Sequence, residues 1–151
     1  MNAYTQLLRH IKQTAEEDDY ITTILHRVPD DFDWEKGNIF PILNISALAG
    51  TFTSTSTIQF DVTITCVDKR DINKEDVDDK FWSNDNEVDN HNATLSHISH
   101  LWTKLNRDYS LENITASENP NLTQIEFEGM NLMDGWEITF QVEMPMDVSL
   151  C

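Results

Sequence analysis

Three histidines on one stretch, His91, His97 and His100, come nearest to a chemical constellation in this chain. On a helix, His97 and His100 share a face at i, i+3, as two ligands of one zinc ion would. A zinc site wants three or four converging ligands, commonly with carboxylate or thiolate help. His91 lies two turns earlier on a different bearing, and Asp89 and Asn90 do not complete the set from that face. Surface or interface histidines are therefore expected, with no metal ligand among them. A metal-dependent enzyme built on these histidines and neighbouring carboxylates stands as an alternative.

Other chemistries fare no better. The acidic run Asp71–Asp76 lacks the turn glycine and the bidentate glutamate of a calcium loop. The carboxylate pairs Glu126/Glu128 and Glu137/Glu143 fall at even spacing, which on strands puts them on a solvent face, whereas a general acid needs burial. Nucleophile-elbow, P-loop and dinucleotide-binding signatures are missing, and four glycines leave little material for phosphate-cradling loops. No catalytic residue and no cofactor are expected.

The elements that would have to position any such group are legible as periodicities. Ile58, Phe60, Val62, Ile64 and Cys66 alternate with polar residues, as do Trp136, Ile138, Phe140, Val142 and Met144, so each stretch reads as a strand with one face on a core. Cys66 lies in phase with the apolar face and is expected as a buried free thiol; Cys151 is the last residue. Tyr4, Leu7, Leu8, Ile11 and Ala15 predict a first helix. Tyr20–Val28 fits a helix by spacing and a strand by its β-branched residues, and is taken as a strand. Ile39–Leu48 is a further strand, with Pro41 at an entry compatible with a sheet edge. The hydroxyl run Thr51–Thr57 suits a linker or a hairpin.

Asn84 and Glu87 have capping-box spacing, and Val88, Asn92, Leu95, Ile98, Trp102 and Leu105 form a near-heptad stripe, which predicts a helix over Asp85–Asn106. A strand over Leu122–Glu128 and a connection over Gly129–Gly135 precede the last strand. The loop Pro29–Asn38 holds Phe32 and Trp34 in an acidic setting. Asp68–Asp85 is a long charged interruption that ends on Phe81 and Trp82. Those rings either anchor a contact with another chain or fold back on their own core.

At 151 residues the chain is expected to be one α+β domain, with an arm at about 68–84 and a tail at 145–151. Its net charge of −17 opposes binding to phosphate backbones and to anionic membranes. Residues 16–35 carry eight acids against Arg27 alone, and nine acids with no base lie from Asp108 onward. A polar partner should be basic, or the charge serves solubility alone. Met1–Ala15 is amphipathic, and no span reaches transmembrane length, so an intracellular origin is expected.

Two segments resemble a known family. Asn84-Asp85-Asn86-Glu87 at the second helix start, and Gly135-Trp136-Glu137-Ile138-Thr139-Phe140 followed by Met146-Asp147-Val148-Ser149-Leu150-Cys151, are similar to the helix start, the strand and the cysteine-ended tail of a small virion-protein family of tailed bacteriophages. Ile39-Phe40-Pro41 is similar to the entry of that family's second strand. These proteins occur in crAss-like and other Bacteroidetes phages. The resemblance implies a tail-terminator or tail-completion-like fold: a small, mostly antiparallel sheet with two packed helices, in the order helix–strands–helix–strands. It implies a structural virion protein, not an enzyme, that forms a six- or twelve-fold ring of the neck or tail. Assembled in the host cytoplasm, such a ring joins portal to tail around a DNA channel that it does not grip. Its partners would be further copies of itself and other neck, portal or tail proteins. Phe32, Trp34, Phe81 and Trp82, with Met146, Val148 and Leu150 of the tail, are then the expected subunit contacts. The rival is an acidic DNA mimic that inhibits a host DNA-processing enzyme.

Overall fold

The computed structural model describes residues 3–27, 39–71, 81, 86–111, 114–117, 119–127 and 132–146. The apolar stripe of the first segment forms α1 (Ala3–Glu16), which buries Leu7, Ile11 and Ala15. Three strands follow: β1 (Thr23–His26), β2 (Ile42–Phe52) and β3 (Thr57–Lys69). Then come α2 (Glu87–Leu111), β4 (Thr115–Ala116), β5 (Asn121–Phe127) and β6 (Met133–Pro145). The strands build one six-stranded sheet in the order β1-β2-β3-β6-β4, with β5 also on β6. Because β3 covers the whole of one side of β6, β5 and β4 share the other side, along its first and last parts. Among the described residues every pairing is antiparallel except β1 with β2.

Alternation sorts the side chains. Leu43, Ile45, Phe60, Val62, Ile64, Cys66, Ile138, Phe140, Val142 and Met144 face one way and make a single core with both helices, through Leu7 and Ile11 of α1 and Ile98, Leu101 and Leu105 of α2. A smaller cluster of Ile42, Val67 and Met133 lies on the opposite face, with Leu25, Phe40 and Ile125 packed on it. The architecture is thus α+β, a mostly antiparallel sheet with two helices. Among the described residues no helix is long and apolar enough to cross a membrane.

The details depart from the sequence expectation at several places. β2 is not at the sheet edge near its entry, since β1 pairs with Ile42–Ile45. Pro41 stands just before the strand, and its carbonyl accepts the N–H groups of Thr22 and Thr23 at 3.1 and 3.2 Å, so its missing N–H removes no ladder bond. The hydroxyl run is a hairpin and not a linker: β2 continues to Phe52, and Thr53 N–H returns to Thr57 O at 3.1 Å. β3 runs three residues beyond Cys66, so Val67, Asp68 and Lys69 belong to the sheet and not to an arm. Likewise β6 begins at Met133 instead of after Gly135, and α2 continues to Leu111, beyond Asn106.

The helix stripe is the most instructive correction. Val88 and Asn92, the first members of the stripe, are exposed, while Asn90, His91 and Thr94 are buried. The inward face of α2 is polar through its first two turns and becomes apolar only from Ile98. Hydrophobic periodicity cannot find a face whose buried residues are polar.

Candidate functional site

The buried polar face of α2 meets the ends of three strands. Arg70, one residue past β3, brings its guanidinium to the side chains of Glu126 and Asp134, opposite each other on β5 and β6, and makes a two-pronged pair with Asp134: Nε donates to Oδ2 at 3.0 Å and Nη2 to Oδ1. Nη2 also lies 3.0 Å from Glu126 Oε1 and 3.5 Å from Glu87 Oε1. The Asp134 side chain is 0% exposed and that of Arg70 11%. The hydrogen bonding to Asp134 is the largest influence holding the guanidinium's pKa above its ordinary value, against the opposing pull of its own desolvation.

Asparagines and a histidine close the cluster. Asn86, whose carbonyl takes the Asn90 N–H at 2.8 Å at the start of α2, accepts the Asp71 N–H on its Oδ1 at 2.7 Å. Asn90 Nδ2 donates to Lys69 O at 2.9 Å and to Asp134 Oδ2 at 3.4 Å. His91 Nε2 is 3.2 Å from Ile125 O and 3.8 Å from Asp134 Oδ1, and Trp136 Nε1–H donates to His91 O at 2.9 Å. One buried charge pair thereby ties β3, α2, β5 and β6 together.

Glu87, His91 and Asp134 offer ligand atoms within 4.8 Å of one another, a spacing that a metal ion could use. The chemistry of the cluster fits poorly. A carbonyl oxygen only accepts, so the His91 Nε2 facing Ile125 O bears a proton and has no lone pair for an ion. Both Asp134 oxygens already face Arg70, a fixed cation in the place a metal would take. Added zinc is therefore expected to leave the thermal midpoint unchanged, and EDTA likewise; a zinc-induced rise of several degrees in a thermal melt would contradict this assignment.

The three helix histidines do not converge. His91 faces the Arg70 cluster, His100 is exposed, and His97 turns to the end of α1, with its Nδ1 2.5 Å from Asp18 Oδ2. His97 stacks on Tyr20 with ring centroids 4.0 Å apart, and the Tyr20 hydroxyl donates to Asp68 Oδ2 at 2.9 Å. Burial, with the neighbouring carboxylates, raises the pKa values of Tyr20 and Cys66 above their ordinary 10.0 and 9.0. Folded chains then hold protons that unfolded chains have released, so stability is full below about pH 9 and falls as the pH rises further. Urea midpoints measured from pH 7 to 11 should show this decline, with a shallower slope in Tyr20→Phe.

Among the expected contact residues, Phe81 is 80% exposed, and Met146 is half-buried with its N–H donating to Ser56 O at 2.8 Å. Phe32, Trp34, Trp82, Val148 and Leu150 lie outside the described residues, as does Asn84 of the capping box. The carboxylates read as solvated rows are partly engaged: Glu126 pairs with Arg70, and Glu137 accepts the Thr65 hydroxyl at 3.2 Å. Sequence reasoning missed Arg70 and Asp134 because one fell in the supposed arm and the other in a supposed connection. A groove of about 460 Å³ also runs between α1 and β1, floored by Leu8, Ile24 and Ile45, with Arg9 and Lys12 among its lining residues. Compared with known proteins, the chain matches no family model and no curated protein.

Proposed function

We propose that this protein is a structural virion component, a ring-forming subunit of the neck or tail of a tailed bacteriophage, set between portal and tail around the DNA path. The observation that carries the proposal is where the positive charge sits. Arg70 is internal, and Lys12, Lys104 and Arg107 each hold a carboxylate of their own chain, at 3.0, 3.2 and 3.4 Å. These four bases are thus taken up by carboxylates of their own chain, in a sequence whose net charge is −17. A surface of that sign repels duplex DNA and lets it slide, as a conduit requires. The helix–strands–helix–strands order and the resemblance of the segments at Asn84 and Gly135 support the same reading.

Cyclic assembly needs one surface of the subunit to fit a different surface of its neighbour. Phe81, Trp82, Phe32 and Trp34, with Met146, Val148 and Leu150, are proposed for those contacts. Two measurements test the proposal. Mass spectrometry of purified mature particles should find the chain, and native mass measurement with neck components should give a six- or twelve-fold species. Absence from mature particles would overturn the proposal. Removal of residues 72–82 should abolish incorporation while the isolated chain still folds; unchanged incorporation would take the arm out of the interface.

A further inference from the structure

β1 pairs with β2 only from Ile42 to Ile45, where the last bond across the two strands runs from Arg27 N–H to Ile45 O. β2 continues for seven more residues, and among the described residues nothing pairs with that side of it. A bulge at Leu48 shifts the register, from Ala47 opposite Val62 to Ala49 opposite Asp61. Beyond it the bond from Thr53 N–H to Thr57 O turns the odd-numbered residues toward β3, so the backbone groups of Gly50 and Phe52 point outward. Leu48 and Phe52 are 67% and 72% exposed.

Sheet edges are ordinarily guarded by charge, proline or cover. The β1 edge bears His26 and Arg27, and the β5 edge bears Glu126. The part of β2 that is unpaired among the described residues carries no charged guard of its own, because residues 37–60 contain no Asp, Glu, Lys, Arg or His. In a chain of net charge −17, two copies can approach most cheaply where neither carries a carboxylate.

We infer that this edge of β2 pairs antiparallel with the same edge of a second copy, across a two-fold axis at Thr51. Gly50 and Phe52 of each copy exchange both backbone bonds with Phe52 and Gly50 of the other. Gly50 and Phe52 lie on the helix-bearing face, opposite Phe60 and Ile58, so each Phe52 ring covers the bare glycine of its partner. An uncharged, self-complementary edge favours a second copy over an acidic or basic peptide, which would find no counter-charge there. The inference concerns the chain outside any particle and does not depend on the ring.

The test uses Thr51→Cys with Cys151→Ser, leaving buried Cys66 in place. Thr51 and its two-fold mate form a non-hydrogen-bonded pair about 4.5 Å apart at Cα, within the roughly 4.4–6.8 Å that a disulfide spans. Mild oxidation should convert most of this variant to a covalent dimer, while Thr55→Cys in the hairpin turn stays mainly monomeric. Light scattering should show the dimer mass, and Phe52→Lys should return it to monomer, with a thermal midpoint equal to that of wild type at dilutions where wild type is also monomeric. A monomer at the highest attainable concentration overturns the inference. So does a larger species in which Thr51→Cys links no faster than Thr55→Cys, a result that leaves the ring proposal standing.

Discussion

Arg70→Met is expected to lower the free energy of unfolding by about 3–5 kcal/mol, the cost of leaving one member of a buried ion pair without its partner. The stranded group is the Asp134 carboxylate, wholly shielded from water, whose remaining contacts are Asn90 at 3.4 Å and His91 at 3.8 Å. Glu126 and Glu87 add less to the wild-type pair, because both are substantially exposed and screened. Arg70→Lys should fall between wild type and Arg70→Met, since an ammonium offers a point charge where the guanidinium offers a two-pronged fork. The double variant Arg70→Met/Asp134→Leu should recover most of the loss, because a buried pair replaced by apolar residues is often neutral. Chemical denaturation of wild type, Arg70→Met, Asp134→Leu and the double variant completes the cycle. A loss below about 1 kcal/mol in Arg70→Met would mean that the cluster does not staple the sheet to α2.

Gly135→Ala should be the other severe change, costing about 3 kcal/mol or more. A Cβ at Gly135 would fall 1.9 Å from Cys66 O and 2.9 Å from the Cys66 carbonyl carbon and Val67 Cα. All three are backbone atoms of β3, so relief requires the two central strands to separate where Val67 faces Gly135. The consequence spreads, because Trp136 and Asp134 flank the site and link β6 to α2. Gly50→Ala is the contrast. Its Cβ would meet the Phe60 ring at 3.3 Å, a side chain that can yield, and Gln59 O at an ordinary 3.5 Å, so the cost should stay within about 1 kcal/mol. Equal thermal midpoints for the two variants would contradict this account of β3–β6 packing.

Much of the fold was readable along the chain. Where one face of an element is apolar and the other polar, spacing alone identifies the element: α1, the central parts of β3 and β6, and the apolar half of α2 were all found this way. Cys66 was placed in the core by its phase in the alternation, and it is buried there. The ends were less legible. Val67–Lys69 and Met133–Gly135 pair with one another through backbone bonds that their mixed side chains do not advertise. Expectations at Phe32, Trp34, Trp82, Val148 and Leu150 fall outside the described residues.

The candidate site was not legible at all. Arg70, Glu126 and Asp134 are separated by 56 and 64 residues and follow no motif. A buried charge is defined by what surrounds it, and its surroundings come from four elements that meet only after folding. The same holds for the polar side of α2, whose inward residues look like a solvent face until the strand ends bring Arg70 and Asp134 to them. Composition settled the sign and size of the charge, and periodicity settled which stretches bury an apolar side. Pairing of distant polar groups, the register at the Leu48 bulge and the pairing of β1 with only the first part of β2 depend on contacts made across the sheet, which no local pattern encodes.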